Sequence, residues 1–294
     1  MWFIYALITS VLYALYHICN QESKLKVEIF IVYRGFLAAL MATPFALIYH
    51  YIFPWQFYAL VIFQGITISY MDYKYFQAFH KFGAENVNSV KPLTVMITFI
   101  LWLIIEPSML GRYMANPLRS LIIISSLLVI IYAVMNYRHQ KIGRESLKFI
   151  VPLLFLSSII DTSNKVIMEY AEGHLLALTF HRVAFTGWII GVINLFFNRQ
   201  KNIKMKELID FKNICRGSFI LILVLSMVSV NFAMHYSPNP AYTSAIMYLA
   251  VIWIMLINKF VPYSDNKKQY QNIALKWILL LLGAAITLIL ATAK

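Results

Sequence analysis

Asp161 and Lys165 stand one helical turn apart in a long, mainly apolar stretch, 149–171. Ser157, Asn164, Met168 and Glu169 join them at three- and four-residue steps, so a helix places the group on one face. A carboxylate and an ammonium on one face can hold a small molecule that carries both signs. They can also pair with each other across the turn and merely pack. A stripe of the same kind lies near the N-terminus: Ser10, Tyr13, His17 and Asn20. Both stripes are expected to line one shared cavity.

Other polar groups interrupt apolar stretches. Gln64 and Asp72 share a face, with Asp72 expected to point inward and Lys74 away. Asn88, Lys91, Thr94 and Thr98 follow helical spacing; Lys91 either binds an anion or snorkels to the surface. Asn231 and His235 lie on one stretch, with His235 near a turn and read as structural. Arg34 and Arg182 are read as architectural, because a guanidinium can tie down carbonyls or a carboxylate on neighbouring helices. Tyr13, Tyr16, Tyr70 and Tyr75 are candidates for a wall that stacks on planar or cationic groups. The expected substrate-binding set is Tyr13, His17, Asp72, Lys91, Asp161, Asn164, Lys165 and Asn231, with Arg34 and Arg182 as structural arginines.

Catalytic chemistry finds little support. There is no H-E-x-x-H pair, G-x-S-x-G elbow or G-x-x-x-x-G-K-[ST] loop. His174 and His181 are spaced along one stretch, but no third metal ligand is evident. Cys19 and Cys215 lack metal-ligand spacing and cannot build a disulfide framework. An enzyme is therefore not expected, and neither a cofactor nor a metal.

The elements that carry these residues are set by composition. Of 294 residues, 61% are hydrophobic and only 13% charged. Soluble domains carry about 25% charged residues; lipid removes the need for that polar surface. A bilayer-spanning helix needs roughly 20 apolar residues. The candidates are 2–20, 28–50, 56–80, 84–105, 117–137, 149–171, 174–197, 213–236, 240–261 and 273–292, which makes an all-α integral membrane protein of ten transmembrane helices. Met1 to Ile18 lacks a basic leader region and an A-x-A site, so it reads as a retained first helix. Turn signals agree: Phe53-Pro54-Trp55, Glu106-Pro107, and Pro238-Asn239-Pro240, where Pro240 suits a first helical turn. Gly187 and Gly191, four residues apart, permit close helix approach. The formal charge of +13 does not point to nucleic acid, because its residues sit mostly in short loops. Loops after odd-numbered spans hold nearly all of them, Lys141, Arg144, Lys204 and Lys212 among them. The even side holds Arg112, Arg119 and the terminal Lys294. The positive-inside rule then puts the odd side in the cytoplasm and both termini outside.

A weak internal repeat is visible. Residues 10–37 lie on 158–185 without a gap, so that Ser10 meets Ser158, Tyr13 meets Asp161, His17 meets Lys165 and Arg34 meets Arg182. Phe76 to Val95 similarly lies on Phe232 to Val251. The expected organisation is a first five-helix repeat over 1–137, a basic linker over 138–148 and a second repeat over 149–294. An odd number of spans per repeat forces the second copy to enter from the opposite face. Transporters with that inverted symmetry hold their substrate near the midplane, between the repeats.

These residues resemble the drug/metabolite transporter superfamily, of the EamA type. The match rests on Arg34 and Arg182 in the second helix of each half, on Tyr75-Phe76-Gln77-Ala78-Phe79 at the end of the third span, on Pro92 in the fourth and on Glu106 after it. The sequence departs from the pattern by lacking the glycine and arginine around Glu106, and by placing Lys91 before Pro92. The resemblance implies a secondary transporter in a bacterial inner membrane, although bacterial relatives often keep their termini in the cytoplasm. The expected partners are a small-molecule substrate and the lipid bilayer, with no nucleic acid and with the chain a monomer or homodimer. Because Asp72 and Asp161 face Lys91 and Lys165, a zwitterion such as an amino acid or its derivative fits best. An anionic or phosphorylated metabolite comes next, then an organic cation.

Overall fold

The structure, a computed structural model, describes residues 1–23, 25–82, 90–136, 144–199, 207–208, 210–260 and 275–292. Its elements are α1 (Trp2–Ser23), α2 (Val27–Ile48), α3 (Trp55–Phe82), α4 (Leu93–Ile105), α5 (Ser108–Ala115), α6 (Pro117–Asn136), α7 (Arg144–Glu169), α8 (Leu175–Arg199), α9 (Phe211–Gly217), α10 (Ile220–Tyr236), α11 (Pro240–Met247), α12 (Ala250–Phe260) and α13 (Leu275–Thr292). No strand occurs among the described residues.

The chain is an all-α membrane protein. Among the described residues, six stretches are long and apolar enough to cross a bilayer: Trp2–Asn20, Val27–Ile48, Pro117–Asn136, Glu145–Glu169, Leu175–Phe196 and Phe211–Tyr236. A bent pair, α4 with α5, makes seven if it counts as one span. All six match spans expected from the sequence. α3 is 28 residues long but carries Gln64, Asp72 and Lys74, and it is not among the six. The expected 240–261 span is interrupted at Tyr248 and Leu249, between α11 and α12.

Local sequence explains the boundaries. Pro54 precedes α3 and its carbonyl accepts from Phe57 N at 3.0 Å. α7 ends where Glu172 and Gly173 adopt positive φ, 38° and 86°, a left-handed stop that glycine makes without strain. Asn239 caps α11 by accepting from Ala241 N at 2.9 Å, with Pro240 in the first turn. Two features depart from the sequence reading. α7 begins at Arg144, inside the segment read as a linker. Pro107 starts an additional helix, α5, bent by 108° from α4. Proline fixes its own φ and cannot donate to the preceding turn, so the chain restarts in a new direction.

Packing is helix on helix. α2 lies along α8 more extensively than any other pair. α1 packs on α10, α11 and α12, and α6 on α13. α3 packs on α7 and α8, α4 on α7 and α11, and α2 on α10. α10 also contacts α7 and α8, whereas no comparable packing of α3 on α1 or α2 occurs among the described residues. The α2–α8 seam is made by glycine. A Cβ added at Gly35 would lie 2.2 Å from Gly191 N and 2.8 Å from Gly187 O, so the backbones touch. The close approach expected of Gly187 and Gly191 is thus observed. α13 shows how the outer surface is built: Leu281, Ala285 and Leu288 are buried, while Leu279, Ile286 and Leu290 are exposed on the other side. An apolar outer face of this kind suits hydrocarbon.

Candidate functional site

Three arrangements of polar side chains occupy the interior. In the first, Arg34 Nη1 on α2 donates to Asp72 Oδ2 on α3 at 2.6 Å. Asp72 faces inward, as expected, and Arg34 ties down a carboxylate on a neighbouring helix.

The second is centred on Arg182 of α8. Its Nε donates to Gln64 Oε1 at 3.0 Å and its Nη1 to Asn231 Oδ1. Gln64 Nε2 donates in turn to Ser163 Oγ at 2.7 Å and to Asn164 Oδ1 at 2.8 Å. One network therefore ties α3, α7, α8 and α10 together, with all five residues buried. Arg182 thus bridges neighbouring helices, and Asn164 and Asn231, two of the expected substrate contacts, take part in its network. Asn231 Nδ2 is buried with no hydrogen-bond partner. Ser163 was not foreseen, because it lies beside the face that carries Asp161.

The third surrounds Asp161. Ser244 Oγ on α11 donates to Asp161 Oδ2 at 2.8 Å. One turn earlier on α7, Ser158 Oγ donates to the Thr94 carbonyl at 3.2 Å, and Thr94 Oγ1 lies 3.1 Å from Tyr248 Oη. Tyr13, Tyr75 and Tyr248 all lie within electrostatic range of the Asp161 carboxylate. Lys91 Nζ sits 4.9 Å from the centre of the Tyr75 ring, within range of Asp72 and Arg34. Lys91 therefore points inward. His17 contacts the rings of Tyr13 and Tyr16 and faces Lys91 and Arg34.

Asp161 and Lys165 do not pair. Lys165 Nζ instead donates to the His235 carbonyl at 3.1 Å, within electrostatic range of Glu169. Helical spacing allows the pair but does not impose it; Ser244 and a free carbonyl at the end of α10 win. Lys165 thus leaves the group around Asp161 and ties α7 to α10, while His235 Nδ1 lies 3.2 Å from the Met168 carbonyl. Asn88, grouped with Lys91 in the sequence, lies outside the described residues.

Tyr13, Arg34, Asp72, Lys91, Asp161 and Tyr248 lie deep among the helices, yet each is only half-buried, and His17 is exposed. The bundle leaves these side chains partly accessible. A separate surface groove, lined by Tyr49, His50, His174 and Tyr236, shares no residue with this group. Among the described residues no cluster of three metal-ligating side chains forms. No protein-family model matches the chain, and no curated protein matches it.

Proposed function

We propose that the chain is a secondary transporter of the drug/metabolite transporter type, moving a small zwitterionic metabolite, an amino acid or a derivative, across a bacterial inner membrane. The observation that carries this reading is the gathering of partly accessible charged and polar side chains among the helices. Tyr13, Arg34, Asp72 and Lys91 come to it from the first half of the chain, and Asp161, Ser244 and Tyr248 from the second. Charges are costly at membrane depth and mark substrate paths when they face a cavity.

The packing order supports ten spans in two inverted five-span repeats. A half-turn that exchanges the halves makes some helices meet their own counterparts and the remaining contacts recur in pairs; the principal ones do, whereas α10 on α7 and α8 is not matched by α3 on α1 and α2 among the described residues. α2 with α8, α4 with α11 and α6 with α13 are the self-pairs. α1 on α10 is matched by α7 on α3, and α2 on α10 by α8 on α3. α4 on α7 is matched by α11 and α12 on α1. Such halves give alternating access by rocking about the central site. Lys91, Arg34 and His17, within electrostatic range of one another, favour an anionic metabolite as the second reading.

The test is uptake by liposomes containing the purified chain. A tritiated amino-acid mixture is expected to exchange into them, faster than into protein-free liposomes. Exchange of phosphorylated sugars alone favours the second reading; exchange of neither removes both.

A further inference from the structure

We infer that the groove between the ends of α2, α8 and α10 seats one phospholipid of the bilayer, with His50 and His174 on its phosphodiester and a stripe of α10 under an acyl chain. The groove measures about 470 Å3, within the ~300–1,000 Å3 of sites that take small molecules. Its walls come from the end of α2, the turn that starts α8 and the end of α10. All three helices belong to apolar spans, so a groove where their ends meet lies at one surface of the membrane. Each wall runs from polar to apolar in the same direction. His50 stands beyond Ile48 on α2, His174 beyond Leu176 and Ala177 on α8, and Tyr236 beyond Phe232 on α10. A phospholipid presents its headgroup and its chains in that order.

The walls are preformed. Tyr236 stacks on Tyr5 with ring centres 6.1 Å apart, Tyr49 on Phe180 at 6.0 Å and His174 on Tyr51 at 4.1 Å. A ring already backed by a second ring has little freedom left to lose when a ligand arrives. Rings with polar edges favour the headgroup level of a bilayer. His50 and His174 are exposed, and each imidazole has at least one N–H to offer a phosphodiester oxygen. Below the groove, Tyr236, Phe232, Val228, Leu225 and Leu221 follow at three- and four-residue steps, so they share one face of α10. None of the five is buried. The stripe is roughly 22 Å long at ~1.5 Å per residue, longer than half of the ~30 Å hydrocarbon core. A water-soluble ligand would leave this stripe bare, along with Ile48, which is 72% exposed. A plain hydrocarbon would leave both histidines without a partner. A lipid seated here touches α2 in the first half of the chain and α8 and α10 in the second. The seat requires the membrane fold but not transport.

The experiment uses the purified full-length chain, delipidated in detergent. No Lys or Arg lines the groove, so the probe is dioleoyl phosphatidylethanolamine, which carries no net charge. Native mass spectrometry follows its binding beside that of dioleoylglycerol, which lacks the phosphate, and of glycerol phosphate, which lacks the chains. One phospholipid is expected to bind at least tenfold more tightly than either. His50→Ala combined with His174→Ala is expected to weaken phospholipid binding at least fivefold and to leave dioleoylglycerol binding unchanged. A phosphatidylethanolamine with a diazirine in one chain, reconstituted with the protein and irradiated, is expected to label Leu225, Val228 and Phe232 ahead of the exposed Leu279 and Leu290 on α13. Even labelling of both faces, equal binding of dioleoylglycerol or an unaffected double variant overturns the seat. Glycerol phosphate binding as tightly as the phospholipid also overturns it and makes the groove a site for soluble anions. If the double variant does not fold, the labelling map decides alone.

Discussion

Arg34 on α2 and Asp72 on α3 form a 2.6 Å ion pair between two helices that have no comparable packing against each other among the described residues. In the second half of the chain, Arg182 on α8 and Asn231 on α10 join helices that do pack. The ion pair spans the looser side of the bundle. Removing one partner leaves a charge uncompensated, whereas removing both does not. Asp72→Asn and Arg34→Met should each destabilise the protein by roughly 1–3 kcal/mol. That is less than the ~3–5 kcal/mol of a fully buried pair, because the two side chains are 21% and 12% exposed. The double variant should regain most of the loss. Thermal unfolding in detergent measures all three.

The Arg182 network should be far less forgiving. Gln64 accepts from Arg182 and donates to Ser163 and Asn164, so Gln64→Leu breaks three hydrogen bonds and leaves the guanidinium tied to Asn231 alone on this side. About 1–3 kcal/mol follows for each buried polar group left unsatisfied. Arg182→Lys should not rescue the site, since a single ammonium cannot present the planar fork that reaches both Gln64 and Asn231. A Lys variant with wild-type unfolding temperature would contradict this account.

Lys165 is expected to matter for the bundle and not for affinity. Lys165→Met removes the tie to the His235 carbonyl and should lower the unfolding temperature and the maximal transport rate. The half-saturating concentration should move by less than about threefold, well short of one tenfold step per 1.4 kcal/mol lost at a direct contact. A large shift in half-saturation would return Lys165 to the substrate.

Gly35→Ala places a Cβ 2.2 Å from Gly191 N. Backbone cannot yield as a side chain does, so at least the ~1–3 kcal/mol of core overpacking is expected. Gly283, with nothing within 4 Å of its added Cβ, is the control. Gly283→Ala should be neutral or stabilising by up to about 1 kcal/mol. Unfolding temperatures of the two variants check the difference.

Orientation is testable by labelling. Lys212→Cys, in a Cys19→Ser, Cys215→Ser background, should resist a membrane-impermeant thiol reagent in intact cells and react after permeabilisation. Ready labelling of intact cells would reverse the orientation derived from loop charge.

Much of this was legible in the sequence because membrane helices announce themselves locally. The apolar runs around α1, α2, α6, α7, α8 and α10 are properties of neighbouring residues, and so are the breaks at Pro54, Pro107 and Pro240. The inward faces of Asp72 and Asp161 follow from spacing plus cost. Partner choice is a different matter. Arg182 finds Gln64 across 118 positions, and Ser244 finds Asp161 across 83. Nothing local marks Ser244 as the residue that would displace Lys165. α5 escaped notice because eight residues are too few for a bilayer signal, and its direction is set only once Pro107 has turned the chain.

The glycine seam has a mechanical consequence. Most helix pairs mesh like gears, with side-chain ridges seated in grooves, and turning one against the other must first unseat them. Where Gly35 meets Gly187 and Gly191, backbone lies on backbone, with the Phe36 ring seated over Gly191. α2 and α8 therefore meet as a latched bearing: close enough to keep the two halves from separating, with Phe36 a tooth that any roll between them must first lift.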